Sequence, residues 1–366
     1  MAFERIKGQH IAVRMLEHEL ASDRLPQTLL FYGPQGTGKF LTALELVKKI
    51  NCEAAGPSGG SCSCSSCITI QNLASRDILF ISKTSFTPLF RLWKESGVPA
   101  RCVSMFRFDV KRFLLSIATE QRFKREYETL QDFIRIQDTV GEQVEEILKM
   151  VLSVSTAMEG AVIGIDSIRE AQRFLSLKSA VGKHRCIIID GAEQMNVEAS
   201  NCFLKISEDT PQGSLIILVA EERERIRETI RSRCRAYRFL PLSEELKTEI
   251  MRDRFDIVRD DKPETGSTFH RELAASHGEP ALWSSLIDEI VEKGEVLSFL
   301  DQTVALLGQT VPRMHERSIW EVQSIESLIK QADQVKTSIV QFHTDARTAL
   351  TDFLLKGGRK ILRYVF

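Results

Sequence analysis

Along the first two-thirds of the chain, hydrophobic residues fall either in short unbroken runs or at helical spacing. Thr28-Leu-Leu-Phe-Tyr32, Cys186-Ile-Ile-Ile-Asp190 and Ser214-Leu-Ile-Ile-Leu-Val-Ala220 are runs of strand length. Unbroken apolar runs predict strands buried on both faces, since a half-exposed strand would alternate. Apolar residues recur every three or four positions over residues 10–22, Phe40–Ile50, Asp166–Leu177 and Asn196–Glu208, which predicts helices there. Such an alternation predicts an α/β fold with a parallel sheet covered by helices.

Beyond Pro241 the pattern changes. Ser243–Phe255 reads as a helix, Asp256–Ser267 as a polar connector, and helical spacing resumes near Phe269. Residues 286–366 carry no strand signal and are predicted all-helical. Residues 84–160 fit neither part: they show helical patterns at Phe113–Ile136 and Val144–Val154 and segregated charge. Nine basic residues (Arg91, Lys94, Arg101, Arg107, Lys111, Arg112, Arg122, Lys124, Arg125) stand against three acids over Thr84–Arg125, then eight acids against Arg135 and Lys149 over Glu126–Gly160. Two readings follow: a helical hairpin whose arms pair, or a basic surface that meets DNA or a partner.

Composition narrows the class. The 366 residues carry 49 Lys+Arg and 50 Asp+Glu, a net charge of −1, with 43% hydrophobic and 27% charged residues. This is the balance of a globular protein of two or three domains, and it excludes bulk electrostatic coating of nucleic acid. No apolar run approaches the ~20 residues of a spanning helix, and Met1–Lys7 has no signal-peptide core, so a cytoplasmic location is expected.

Four motifs carry chemistry. Gly33-Pro-Gln-Gly-Thr-Gly-Lys39 lies between a predicted strand and a predicted helix, where glycine-rich backbone cradles phosphate and Lys39 reaches the terminal phosphates. Gly33, Gly36, Thr37, Gly38 and Lys39 are the candidate nucleotide residues. Phe40 stands where a Ser or Thr hydroxyl would ligate Mg²⁺. Asp190, ending its apolar run, is the candidate acid for that ion, but Gly191 follows where a hydrolase needs a water-activating Glu, and Glu193 reads as structural. Cys52, Cys62, Cys64 and Cys67 supply four thiols within sixteen residues, a candidate structural Zn²⁺ site, or else unliganded thiols. Arg231 and Arg233 follow the third run as surface ion-pairing residues or as an arginine finger.

In this order the motifs resemble the bacterial clamp-loader subunits of the AAA+ class, the delta-prime type of DNA polymerase III above all. The resemblance is carried by Gly8-Gln9, Arg24–Lys39, the cysteine quartet, Ile165–Glu170, Ile187–Met195, Asn201–Glu208 and Thr229–Cys234. It implies a P-loop AAA+ domain over residues 1–240, with a zinc module at 52–67 and a helical insertion at about 84–160. A helical lid over 241–285 and a helical collar for oligomerisation over 286–366 complete the implied organisation. The implied activity is non-hydrolytic help in loading a sliding clamp onto primed DNA during replication. Arg233 would act in trans on ATP held by a neighbour, within a DNA polymerase holoenzyme whose loader ATPase resides in other subunits.

The implied partners are gamma/tau and delta subunits in a hetero-pentamer, the sliding clamp and primer–template DNA. The implied cofactor is structural Zn²⁺; ATP or ADP at the glycine loop stays open, and Phe40 counts against Mg²⁺. An active gamma/tau-type ATPase and a nucleotide-free scaffold are the alternatives. The sequence departs from the family in its C-x-C-x₂-C spacing, in Ala220 and Glu221 where a polar sensor is expected, in a Ser276–Leu282 stretch without an Arg, and in the 84–160 segment.

Overall fold

The computed structural model describes residues 3–54, 62–118, 120–135, 141–177, 179, 183–255, 280–310, 319–342 and 344–365. Among them the strands β1 (Thr28–Tyr32), β2 (Ile78–Ser82), β3 (Arg185–Asp190), β4 (Ser214–Ala220) and β5 (Arg235–Arg238) form one parallel sheet in the order β2-β3-β4-β1-β5. The three continuous apolar runs are the central strands, and all of β3 and β4 is buried. That is what burial on both faces requires of a sequence.

Parallel register brings the strand ends to one edge. Ser82 pairs with Asp190, and Tyr32 pairs with both Ala220 and Arg238. The segments leaving that edge are bonded to one another: Gly33 N–H to Glu221 O (3.1 Å), Gly191 N–H to Val219 O (3.0 Å) and Lys83 N–H to Asp190 O (3.2 Å). Loops at the carboxyl edge of a parallel sheet are where α/β proteins place ligands.

The helices α1 (His10–Ala21), α2 (Lys39–Asn51), α3 (Ser65–Gln71), α8 (Ile165–Ser176) and α9 (Val197–Glu208) are interleaved with these strands. Asn196 caps α9 by accepting from the Ala199 N–H at 2.8 Å, which explains why that helix starts where the pattern says. A sheet core of Leu30, Ile187, Ile189, Ile216 and Leu218 packs against Ile168, Ala171, Phe203 and Ile206.

Between β2 and α8 the described residues form four more α-helices, α4 (Thr87–Ser96), α5 (Val103–Ile117), α6 (Lys124–Arg135) and α7 (Gly141–Ala157). The predicted single helix Phe113–Ile136 is therefore two helices, α5 ending at Ile117 and α6 beginning at Lys124 after a turn of 3₁₀ helix at Gln121–Phe123. What organises the segment is an aromatic core: Phe90 meets Phe113 edge-on at 5.4 Å, and Trp93 lies 4.6 Å from Phe255. Buried Asp109 accepts from the Trp93 indole N–H at 2.8 Å and from Arg254.

The chain divides into two compact units. The first comprises Met1–Ile6, Leu16–Phe239 and Glu249–Val258, and so holds the sheet and the four-helix segment. The second comprises Lys7–Met15, Leu240–Thr248 and Arg259–Phe366. Its described helices after residue 279 are α10 (Pro280–Glu292), α11 (Val296–Thr310), α12 (Ile319–Phe342) and α13 (Ala346–Val365), around Trp283, Ile290, Phe299, Leu328 and Phe353. Within this unit the Gln9 side chain bonds both backbone groups of Leu240, at 2.8 and 2.7 Å. The predicted connector 256–267, the helical start near Phe269 and residues 276–279 of the predicted lid lie outside the described residues. Among the described residues no helix is long and apolar enough to cross a membrane.

Candidate functional site

The glycine loop joins β1 to α2. Gly33 has φ +145°, and a Cβ there would overlap the carbonyl oxygen of Phe239, the residue after β5, so only glycine fits at this position. Gly36 and Gly38 follow at φ +78° and +88°, with Gly38 as the residue before α2. Thr37 Oγ1 donates to Pro34 O at 2.8 Å. The Lys39 ammonium is buried and donates to the carbonyls of Gly33 (2.6 Å) and Pro34 (2.7 Å). Burial pushes Lys39 below its ordinary value, against the opposing pull of Asp190, Glu221 and Glu193.

Asp190 ends β3 beside this loop, buried, and its carboxylate accepts from Arg112 of α5. The same guanidinium lies 4.1 Å from the centre of the Phe40 ring and 5.1 Å from that of Phe86. Among the nine basic residues of the 84–125 stretch, Arg112 is thus at the glycine loop, a contact that nothing local in the sequence signals. The residues present do not fit a divalent cation: the side chain at 40 is a phenyl ring, and the Asp190 carboxylate is already paired with a cation.

Gly191 has φ +78°, and a Cβ there would stand 3.0 Å from the Thr84 backbone nitrogen. Glu193, two residues on, accepts from the Glu221 N–H at 3.1 Å, which braces the segment after β4. Burial lifts its carboxyl above the ordinary value.

Arg233, just before β5, is half-exposed. Its Nη2 and Nε donate to Glu208 Oε1 at 2.6 and 3.1 Å, and its Nη1 to Thr229 O at 2.9 Å. The structure therefore keeps Arg233 apart from Lys39 and Asp190, on an ion pair with the last residue of α9.

Cys52 follows α2 and Cys64 caps α3; together with Cys62 and Cys67, their four sulfur atoms lie within 4.8 Å of one another. Four thiols gathered in this way could hold a metal ion, so the shortened C-x-C-x₂-C spacing does not prevent convergence. Burial would raise Cys64, but the Cys67 and Glu53 backbone groups and the Cys67 and Cys62 side chains bring it down to about 6, whereas burial raises Cys67. Residues 55–61, between Cys52 and Cys62, lie outside the described residues.

Comparison with known proteins agrees with this geometry. Residues 8–243 match the family model described as DNA polymerase III, delta subunit. The DNA polymerase III subunit tau of Bacillus subtilis is 20% identical over 340 residues, covering 90% of this chain and 46% of that protein. The subunit delta' of Pseudomonas aeruginosa is 31% identical over 72 residues, 20% of this chain and 22% of that protein. The subunit delta' of Escherichia coli is 30% identical over 83 residues, 23% and 25% respectively. The chain spans less than half the length of these relatives. The match over residues 8–243, with the glycine loop, the acid-ended strand β3 and the parallel sheet inside it, means that the chain belongs to the DNA polymerase III delta-subunit family, of the clamp-loader AAA+ type.

Proposed function

We propose that this chain is a delta-prime-like subunit of the DNA polymerase III clamp loader that does not itself hydrolyse ATP. It works with gamma/tau and delta subunits to load the sliding clamp onto primer–template DNA. The observation that carries this reading is Gly191: its positive φ and its approach to Thr84 refuse the water-activating acid. With Phe40 in the metal ligand's place, neither the ion nor the attacking water has a holder. Phosphoryl transfer depends on positioning and charge stabilisation, so loss of both counts against turnover.

Arg233 is the group this subunit offers to catalysis elsewhere. A guanidinium in trans neutralises charge developing on the γ-phosphate, and such a residue is worth about 10³–10⁵ in rate. The half-exposed position of Arg233 supports this use, because its pairing with Glu208 is open to competition from a phosphate. Cys52, Cys62, Cys64 and Cys67 would hold a structural Zn²⁺, which would tie the end of α2 to α3 and take no part in the chemistry.

The test is reconstitution of the loader with this chain carrying Arg233→Ala. DNA-stimulated ATP hydrolysis by the complex is expected to fall by at least about a hundredfold while assembly persists. An unchanged rate removes the finger. Hydrolysis by the isolated chain, abolished by Lys39→Ala, replaces the whole reading with that of an active gamma/tau-type ATPase.

A further inference from the structure

We propose that Arg112 is a built-in cation of the glycine loop, occupying the Asp190 carboxylate that a divalent ion would need and so making the four-helix segment a permanent intramolecular ligand of the site. The inference rests on reading Gly33–Lys39 as a phosphate loop. Three observations carry it. Asp190, buried at the end of β3, accepts from Arg112 Nη2. The same guanidinium lies over the Phe40 ring at 4.1 Å, so one side chain engages both positions from which an ion would draw ligands. Its Nε–H is buried without a hydrogen-bond partner in the structure. A buried donor left unmade costs stability, and the contacts to the carboxylate and the aromatic face offset that cost here.

The segment is tied to the site at further points. Lys83, leaving β2, donates to Ser116 O (2.9 Å) in the last turn of α5 and to Glu120 Oε1 (2.8 Å) just beyond it. Gln35 of the glycine loop donates to Ser85 O at 3.3 Å, and Gly191 packs on Thr84. The loop's own cation is satisfied internally as well, since Lys39 bonds the carbonyls of Gly33 and Pro34. Each charged group that would engage a metal–nucleotide complex already has a partner inside the chain.

A divalent ion and Arg112 are then mutually exclusive at Asp190, which gives a direct test on the full chain. Manganese(II) with ADP is the probe, read by electron paramagnetic resonance. The wild type is expected to take up no manganese dependent on Asp190. The double variant Arg112→Ala with Phe40→Thr is expected to gain one manganese site per chain that is lost again on Asp190→Asn. Manganese uptake by the wild type that Asp190→Asn abolishes overturns the proposal. So does a folded double variant that binds ADP in EDTA but no manganese. A double variant that binds neither takes down the phosphate-loop reading and the proposal with it. Should the double variant not fold, thermal unfolding of Arg112→Met, Asp190→Asn and their combination decides. A combined loss in midpoint smaller than the sum of the two supports the pairing, and strict additivity overturns it.

Discussion

Arg233 and Glu208 form a two-point contact, Nη2 and Nε of the one sharing Oε1 of the other at 2.6 and 3.1 Å. Both side chains are partly exposed, at 39% and 52%, so the pair is worth only about 0–1 kcal/mol. Glu208→Gln is therefore expected to shift unfolding free energy by no more than ~1 kcal/mol and to leave the ATPase of the reconstituted loader at or above its normal rate. A loss equal to that of Arg233→Ala would mean that the guanidinium works through Glu208 and not on a phosphate.

Restoring the missing acid is expected to fail. Gly191→Glu places a side chain at φ +78° with its Cβ 3.0 Å from Thr84 N, and strain of this kind costs about 1–3 kcal/mol. Thermal unfolding should show the loss, and steady-state ATPase of the isolated variant should stay at background. Turnover would show that the missing acid alone limits hydrolysis.

The cysteine cluster predicts metal content. Elemental analysis of purified chain is expected to give about one zinc per chain, and Cys64→Ser to lose zinc and thermal stability together. Because all four sulfurs lie within 4.8 Å, chelation should lower the unfolding midpoint of the wild type and leave that of the metal-free variant unchanged. Full stability without metal would reduce the cluster to packed thiols.

Glu193 sets a pH dependence. Burial raises its folded pKa above the ordinary 4.5, so the folded state binds the proton more tightly than the unfolded state does. Its contribution is most favourable below about pH 4.5 and is lost as pH rises through the folded value. Glu193→Gln keeps an acceptor for the Glu221 N–H and removes the buried charge. The variant is expected to be more stable than wild type near neutrality, with the gain vanishing below that pH in parallel urea titrations. An equal gain at every pH would show that ionisation is not the cause.

Asp109 anchors the four-helix segment. Its carboxylate is fully buried and accepts from Trp93 and from Arg254. Asp109→Ala leaves both donors without their acceptor, and hydrogen bonds to a charged group contribute about 1.5–3 kcal/mol. Urea unfolding should show a loss of that order with Trp93 fluorescence altered, whereas a change under ~0.5 kcal/mol would mean solvent replaces the carboxylate freely.

The strands that could be read were those whose apolar runs are unbroken. β1 and β4 lie where the pattern puts them, and β3 starts one residue earlier, at Arg185. β5 carries no strand signal because Arg235-Ala-Tyr-Arg238 is an edge strand in which Tyr237 alone is fully buried, so its composition resembles a loop. β2, Ile78–Ser82, is a short run whose middle residues are only partly buried. No break in the pattern marks the join between α5 and α6, because both helices present apolar residues to one aromatic core and helical spacing carries across the turn between them.

Local signals in the chain set most of the elements and the chemical groups they carry: the glycine loop with its Lys, the acid-ended strand, the four thiols, the arginine before β5. Those signals act over a few residues, through backbone conformation and the period of side-chain burial. Tertiary structure alone decided what each group faces. Arg112 reaches Asp190 across 78 residues of chain, Arg233 reaches Glu208 across 25, and Thr84 comes to rest against Gly191. A charge in a basic stretch has no preferred partner until packing sets distances and removes water, because its Coulomb energy depends on both and on neither sequence spacing nor composition.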